Sequence, residues 1–377
     1  RKDTKAVVIL DEFQWMCGKD PSLLSVLQHV WDQDWQNDNC VHLILCGSSI
    51  SFMTTKVLSE KSPLFGRRTQ SFEVRPFQSR ESLSFLKTKD RVEATTFLTT
   101  FGGIPAYLLL YHPRLSVERN INNLAFCRDS YFVNELKFVL SEQLKQPAIY
   151  FKILRLLAQR PYNLTELAHK IHAGTGATSF NMHRLRDIGI VQEHKPLLLD
   201  ETAKTLVYKI SDEYTRFYFS FIQPNVQQIQ QNASSFIFDS VVANKWDAFL
   251  GRCFEDFCHK NISKILAALK IESVFLRSGT YWHKKKSRFH SGVQIDLVIE
   301  TKDRTTYIGE CKWSREKIDY SIMKELDEKV QNYPNPKKHK LRKLLIASSG
   351  VTPHLQNHPD IDVVTLEDFF ALTTRKA

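Results

Sequence analysis

A chain of 377 residues is long enough to bury two or three separate cores. Its 42% hydrophobic and 25% charged residues are ordinary for a soluble globular protein, and no apolar run approaches the roughly 18 residues that span a bilayer, so no transmembrane helix is expected. The net charge of +11 favours a polyanionic partner without choosing among nucleic acid, acidic membrane and acidic protein, and about seven of the excess charges fall after residue 240.

In chain order, Ala6 to Leu10 is a short β-branched apolar run, which predicts a strand buried on both faces of a parallel sheet. A helix is expected from Ser22 to Trp31, and a second strand from Val41 to Cys46, ending at Gly47-Ser48-Ser49. This is a βαβ unit, whose strand ends are where ligands bind. Pro76 to about Glu142 reads as a helical layer interrupted by Gly102-Gly103-Ile104-Pro105. Residues 148 to 210 read as three short helices and a hairpin, a winged helix-turn-helix whose recognition helix runs from about Ser179 to Ile188. The Gln- and Asn-rich stretch Gln227 to Ser235 reads as a linker. Trp246 to Leu269 follows as one amphipathic helix. Strands are then expected at Ser273–Arg277, Val293–Glu300, Thr306–Trp313, Leu344–Ser348 and Asp362–Thr365, with a helix around Tyr320–Gln331.

Val7-Val8-Ile9-Leu10-Asp11-Glu12 has the form of a Walker B strand. A buried strand would deliver Asp11 to the sheet edge to hold Mg²⁺ through water, with Glu12 polarising an attacking water. Asp11-Glu12-Phe13-Gln14, Cys46-Gly47-Ser48-Ser49, Leu64-Phe65-Gly66-Arg67-Arg68 and Gly102-Gly103-Ile104-Pro105 together resemble the archaeal-type P-loop ATPases, a branch of the AAA+/STAND NTPases. Phe65 stands where that family usually has Tyr. The resemblance implies a nucleotide-site remnant made of Asp11, Glu12, Ser48, Ser49 and Arg67, with ATP as the ligand of the intact family. The phosphate-cradling motif G-x-x-x-x-G-K-[S/T] does not occur in the sequence; in the family it lies upstream of Walker B. The opening Arg1-Lys2-Asp3, without Met, is read as that of a chain whose natural start lies upstream. The chain as given is therefore expected not to hydrolyse ATP appreciably. An N-terminal ATPase half, or self-association, is the partner this implies.

The candidate recognition helix carries His183, Arg184 and Arg186 among Phe180, Met182, Leu185 and Ile188. Arg184 and Arg186 are candidates for DNA contact in a major groove. The other reading is an intramolecular packing module, as the family resemblance implies.

Toward the C-terminus, Gln294-Ile295-Asp296-Leu297-Val298-Ile299 is a strand, followed by Tyr307-Ile308-Gly309-Glu310-Cys311-Lys312-Trp313. Residues two apart on a strand face one side, so Glu310 and Lys312 point together, and Asp296 on the neighbouring strand can converge on them. Two carboxylates and the Cys311 carbonyl can hold Mg²⁺ or Mn²⁺, and Lys312 can position water or stabilise the pentacovalent phosphate. The pattern resembles the PD-(D/E)xK nuclease superfamily, and more narrowly the C-terminal domain that accompanies archaeal-type ATPases, with Phe249-Leu250-Gly251-Arg252-Cys253-Phe254-Glu255 matching its preceding helix. The superfamily implies that Glu255 joins Asp296, Glu310 and Cys311 as a metal ligand. Tyr208-Lys209-Ile210-Ser211-Asp212 and Gln223-Pro224-Asn225 match the segment that joins the winged helix to this domain. Two basic runs are expected to flank the site and track phosphates: Lys284, Lys285, Lys286 and Arg288 in a loop beside Tyr281 and Trp282, which could stack bases, and Lys337, Lys338 and Lys340. A solvated loop is the alternative.

Other signals are set aside. Seven cysteines, an odd number without a C-x-x-C pair, argue against a disulfide framework or zinc site and fit a reducing cytoplasm. Cys46 and Cys253 are expected to be small buried hydrophobes. His169 with His172, and His354 with His358, lack the carboxylate of a H-E-x-x-H site, and no G-x-S-x-G elbow occurs.

The fold class expected is thus α/β multidomain. Residues 1–75 are the C-terminal part of a P-loop ATPase sheet, 76–147 a helical lid, 148–222 a winged helix-turn-helix, 223–239 a linker and 240–377 a restriction-endonuclease-like α/β domain. The function expected is a Mg²⁺-dependent nuclease domain with DNA as partner; the alternatives are an inactive DNA-binding or regulatory module, or a structural remnant of a split gene.

Overall fold

The computed structural model describes residues 5–38, 40–144, 146–197, 206–231, 237–283 and 292–371. Strands β1 (Ala6–Leu10) and β2 (Val41–Leu45) pair in parallel, from Ala6↔Val41 to Leu10↔Leu45. The helices Phe13–Lys19 and Leu23–Val30 connect them, which makes the expected βαβ unit. Burial of β1 on both faces is not found: Val7 and Ile9 are 64% and 60% exposed. A parallel strand is covered on both faces only where a layer packs on each. Here a small core of Phe13, Cys17, Leu24, Leu27 and Val57 packs against Leu10, Leu43 and Leu45. Cys46, expected to be buried, is half-buried.

From Ser79 to Gln143 the chain is helical: Ser79–Leu86, Arg91–Phe101, Pro105–Leu108, Val117–Ala125 and Tyr131–Gln143. The Asp90 carboxylate caps the second of these at Val92 N, 2.8 Å away. Gly102, at φ 80°, ends the same helix. A Cβ on Gly103 would stand 1.8 Å from the Phe77 carbonyl oxygen, so only glycine lets the two backbones meet.

The winged helix consists of helices Pro147–Leu157, Leu164–Ile171 and Thr175–Asp187 with strands β3 (Val191–His194) and β4 (Val207–Ile210), antiparallel with Val191 opposite Ile210. The last helix starts four residues before the expected Ser179. The stretch read as a linker begins as a helix, Val226–Gln231, with Ile229 fully buried.

The single helix expected over 246–269 is two, Ala243–Lys260 and Ile262–Leu269. They meet at buried Asn261, whose side-chain amide donates to the Phe257 carbonyl at 2.9 Å. An Asn that spends its amide on its own last turn competes with helix continuation. The sheet that follows has the order β5-β6-β7-β8-β9: β5 (Phe275–His283), β6 (Val293–Thr301), β7 (Thr305–Lys312), β8 (Lys340–Ala347) and β9 (Ile361–Thr365). β5, β6 and β7 are antiparallel, while β7, β8 and β9 run parallel, with the helix Ile322–Asn332 as the crossover between β7 and β8. One aromatic-rich core runs through the helical layer, the winged helix and the helix Ala243–Lys260. Phe101 stacks on Phe132 at 4.1 Å, and Phe217 meets Phe101 at 5.4 Å and Trp246 at 6.2 Å. Among the described residues no helix is long and apolar enough to cross a membrane.

Candidate metal and nucleic-acid sites

The pairing Leu297↔Gly309 is the last of the β6–β7 ladder, and Asp296 and Glu310 each lie one residue beyond it, side by side where the ladder opens. Both are almost fully buried. The Asp296 carboxylate accepts from the Cys311 backbone N–H at 3.1 Å, and the Asp296 carbonyl lies 2.8 Å from His259 Nε2 on the helix Ala243–Lys260. Lys312, two residues after Glu310 as expected, lies 2.8 Å from Glu310 Oε1. Glu255 joins this group from the same helix as His259. The Cys311 thiol is buried in the core beside Cys258.

Charge makes these groups one unit. Burial pushes Glu255 up to about 8, with repulsion from Asp296, Asp256 and Glu310 adding to it. Burial, then Asp296, pushes Glu310 up to about 7 despite the two lysines on it. Burial works against the Lys312 charge, but Glu310 and Glu325 outweigh it and hold the ammonium above its ordinary value. Lys312 and Lys329 offset only part of the repulsion among these carboxylates, whose oxygens are of the kind a hard cation prefers. Among the described residues no three His, Cys, Asp or Glu side chains stand together in ligating positions.

Three members of the cluster were not read from the sequence. Lys329 pairs with the second oxygen of Glu310, Glu325 lies 3.0 Å from Lys312, and His259 supports Asp296. Glu325 and Lys329 sit four apart on the crossover helix, a spacing that puts both on one face and was the available signal.

The basic runs are arranged differently from the expectation. Lys284, Lys285, Lys286 and Arg288 lie outside the described residues. Tyr281 and Trp282 lie on β5, which runs to His283, past the strand end expected at Arg277. Tyr281 is buried edge-on against Tyr333, and Trp282 stacks on His194 of the wing at 4.7 Å, so their faces serve packing. Lys340 pairs with Thr305 at the start of β7, five residues before Glu310, roughly 16 Å along the strand. Lys337, Lys338 and Lys340 therefore gather at the opposite end of the sheet from the carboxylates. Lys337 is bound to Glu300 at 2.9 Å; Lys338 and Lys340 are exposed.

In the winged helix, Arg186 is paired with Glu193 of β3 at 2.7 Å. Arg184 lies over the exposed Phe180 ring and lines a cleft of about 200 Å³ with Ser49, Lys56, Gln143 and Asp187. The wing docks on the C-terminal sheet. Leu197 N donates to the Thr280 carbonyl at 2.9 Å, and the Leu197 carbonyl accepts from Arg277 at 3.3 Å.

At the ends of β1 and β2, Cys46 N donates to the Leu10 carbonyl and Phe13 N to the Cys46 carbonyl, both at 2.9 Å, which brings Ser48 to Glu12. Ser48 Oγ donates to Glu12 at 2.8 Å and accepts from the Gln14 amide at 2.8 Å; Gln14 also donates to Glu12. These bonds hold the Glu12 carboxyl below its ordinary range, Ser48 first. Asp11 is exposed, Ser49 caps the turn at Phe52 N, and Arg67 is committed to both oxygens of Asp32 at 2.7 Å.

Residues 1–110 match a family described as an ATPase domain predominantly from Archaea, and residues 218–326 match one described as archaeal and bacterial proteins of unknown function. The second span holds Glu255, Asp296, Glu310 and Lys312. An uncharacterized protein of Methanocaldococcus jannaschii is 28% identical over 313 residues, which cover 81% of this chain and 67% of that protein. A second uncharacterized protein of the same organism is 46% identical over 48 residues, 13% of this chain and 46% of its own. Among solved structures, a homodimeric winged helix-turn-helix DNA-binding domain from Mycobacterium bovis is 17% identical, covers 27% of this chain and 94% of its own, and gives a TM-score of 0.21. Lactococcus lactis ZitR is 15% identical, covers 38% and 92%, and gives 0.17. Scores of this size carry no argument about this chain.

Proposed function

We propose that the C-terminal sheet carries a divalent-metal-dependent nuclease site acting on DNA, attached to a segment of an ATPase domain by a winged helix. The observation that carries this reading is the placement of the buried Asp296 and Glu310 beside each other on adjacent strands, with Lys312 2.8 Å from Glu310 and the half-buried Glu255 facing them from the helix Ala243–Lys260. Carboxylate oxygens are the donors that the hard ions Mg²⁺ and Mn²⁺ prefer, and closing Glu255 onto Asp296 and Glu310 would complete the set. Asp296, Glu310 and Glu255, with the Cys311 carbonyl, would hold the ion, which would supply Lewis-acid stabilisation of phosphate charge and a more acidic water. Lys312, bonded to Glu310 and 33% exposed, is suited to orient a water or meet the phosphate. Lys338 and Lys340, with Lys284, Lys285, Lys286 and Arg288, would neutralise the backbone beyond the site.

Asp11, Glu12, Ser48 and Ser49 would form part of an ATP site with Mg²⁺, the Glu12 carboxylate being kept ionised by Ser48 and Gln14. Arg67 is less suited to it, since Asp32 takes both arms of its guanidinium.

The test is cleavage of single- and double-stranded DNA with Mg²⁺ or Mn²⁺ by this protein and by an Asp296→Ala, Lys312→Ala variant. The nuclease reading expects metal-dependent cutting that the variant lacks. No cutting by either protein, with DNA still bound, sinks it in favour of a second reading, a DNA-binding regulator without cleavage. That second reading draws on Lys329, which pairs with an oxygen of Glu310 that a metal would need.

A further inference from the structure

The helix Ile322–Asn332 is fixed on the sheet by Ile322, Met323 and Leu326, all buried. From it, Lys329 reaches Glu310 with a side chain only 13% exposed. Lys312 lies 2.8 Å from the other oxygen of Glu310. Each oxygen of this carboxylate therefore carries an ammonium. A divalent ion at the site needs one of those oxygens, and an ammonium and a metal cannot share it without like-charge repulsion. A second partner for the lysine is already present. Glu325, one turn earlier, lies 3.4 Å from Lys329 and is 40% exposed at its side chain. A lysine, with its flexible four-carbon stem, can pass between two carboxylates in a way a planar guanidinium fork cannot.

We propose that Lys329 is a positioning residue of the carboxylate site: in the metal-free protein it stands in for a divalent cation on Glu310, and it transfers to Glu325 when the ion binds. This rests on the reading of Asp296, Glu310 and Glu255 as metal ligands. The occupant of the site then depends on divalent-ion concentration, and Lys329 sets the concentration at which the exchange occurs. The pair also keeps Glu310 from facing Asp296 without a countercharge while the site is metal-free.

The experiment is Mn²⁺ binding to the full chain, read from the loss of the free-ion paramagnetic signal at fixed alkaline pH. It compares the wild type with Lys329→Met, Lys329→Arg and Glu325→Gln. Lys329→Met is expected to bind about tenfold more tightly, because its metal-free state lacks the competing ammonium. Lys329→Arg is expected to bind more weakly, because its guanidinium fork stays on Glu310 instead of passing to Glu325, and Glu325→Gln to bind more weakly as well, because the displaced lysine has lost its second partner. Wild-type or weaker affinity in Lys329→Met overturns the proposal. If that variant fails to fold, equal affinity of the wild type and Glu325→Gln overturns it instead. A wild type that binds no Mn²⁺ removes the metal-site reading and this proposal together, whereas a wild type that binds alongside an unchanged Lys329→Met removes the role of the lysine alone.

Discussion

Lys209, on the last strand of the winged helix, donates to the Asp256 carboxylate at 2.6 Å, and Asp256 is the next residue after Glu255. Arg216 binds the other oxygen of Asp256. The last strand of the winged helix and the short helix Glu213–Phe217 after it therefore supply one cation each to the helix that carries one of the candidate metal ligands. Burial works against the Asp256 charge, but Arg216 and Lys209 outweigh it and hold the carboxyl well below its ordinary range. The connection between the two regions is electrostatic as well as apolar.

Removing this carboxylate leaves two largely buried cations without it. Asp256→Ala is expected to cost about 3–5 kcal/mol, the usual size for breaking a buried ion pair from one side. Urea unfolding of the two proteins measures it. A cost near that of an exposed pair would mean that Lys209 and Arg216 find water or other acceptors.

His194 gives a pH signature to the docking of the wing. It is stacked on Trp282 and lies 3.2 Å from Thr280 Oγ1, and burial, helped by Lys209, lowers its pKa to about 4. The unfolded chain takes up this proton near pH 6.5, the folded chain only near 4. Stability from the neutral ring is thus complete above about 6.5 and is lost as pH falls toward 4. His194→Gln is expected to flatten the fall in melting temperature across that interval. An unchanged profile would mean that the ring protonates without undocking.

Gly103→Ala is expected to destabilise the helical layer by about 3 kcal/mol or more, since its Cβ would meet the Phe77 carbonyl oxygen at 1.8 Å and backbone must move. The Phe77 N–H donates to Gly103 O at 2.8 Å, so that movement also strains this bond. Thermal unfolding of the variant checks it. A loss below 1 kcal/mol would show that the loop before Ser79 yields cheaply.

Reversing Lys338 and Lys340 to Glu is expected to weaken DNA binding at every sequence alike. For each phosphate that a lysine no longer neutralises, the slope of log affinity against log salt should shrink by about one. Fluorescence anisotropy over a salt series reads both quantities. An unaltered slope would assign these two lysines to solvent.

Periodicity and turn residues determined much by themselves. The succession of strands and helix along the C-terminal region, the three helices and hairpin of the winged helix, and the same-side placement of Glu310 and Lys312 follow from local spacing, because alternation along a strand and recurrence along a helix are properties of the chain alone. The match of residues 1–110 to an ATPase domain likewise rests on motifs readable in sequence order.

Only tertiary structure decided who meets whom. The exposure of Val7 and Ile9 depends on what covers a sheet, and the burial of Tyr281 and the stacking of Trp282 on His194 on which face they are given. The approach of Lys329 to Glu310 depends on where a crossover helix lands, and the distance of Lys340 from the carboxylates on strand register. A sequence states which groups a chain owns; burial, charge balance and exchangeable partners are sums over neighbours that folding brings from far along the chain, and spacing does not encode them.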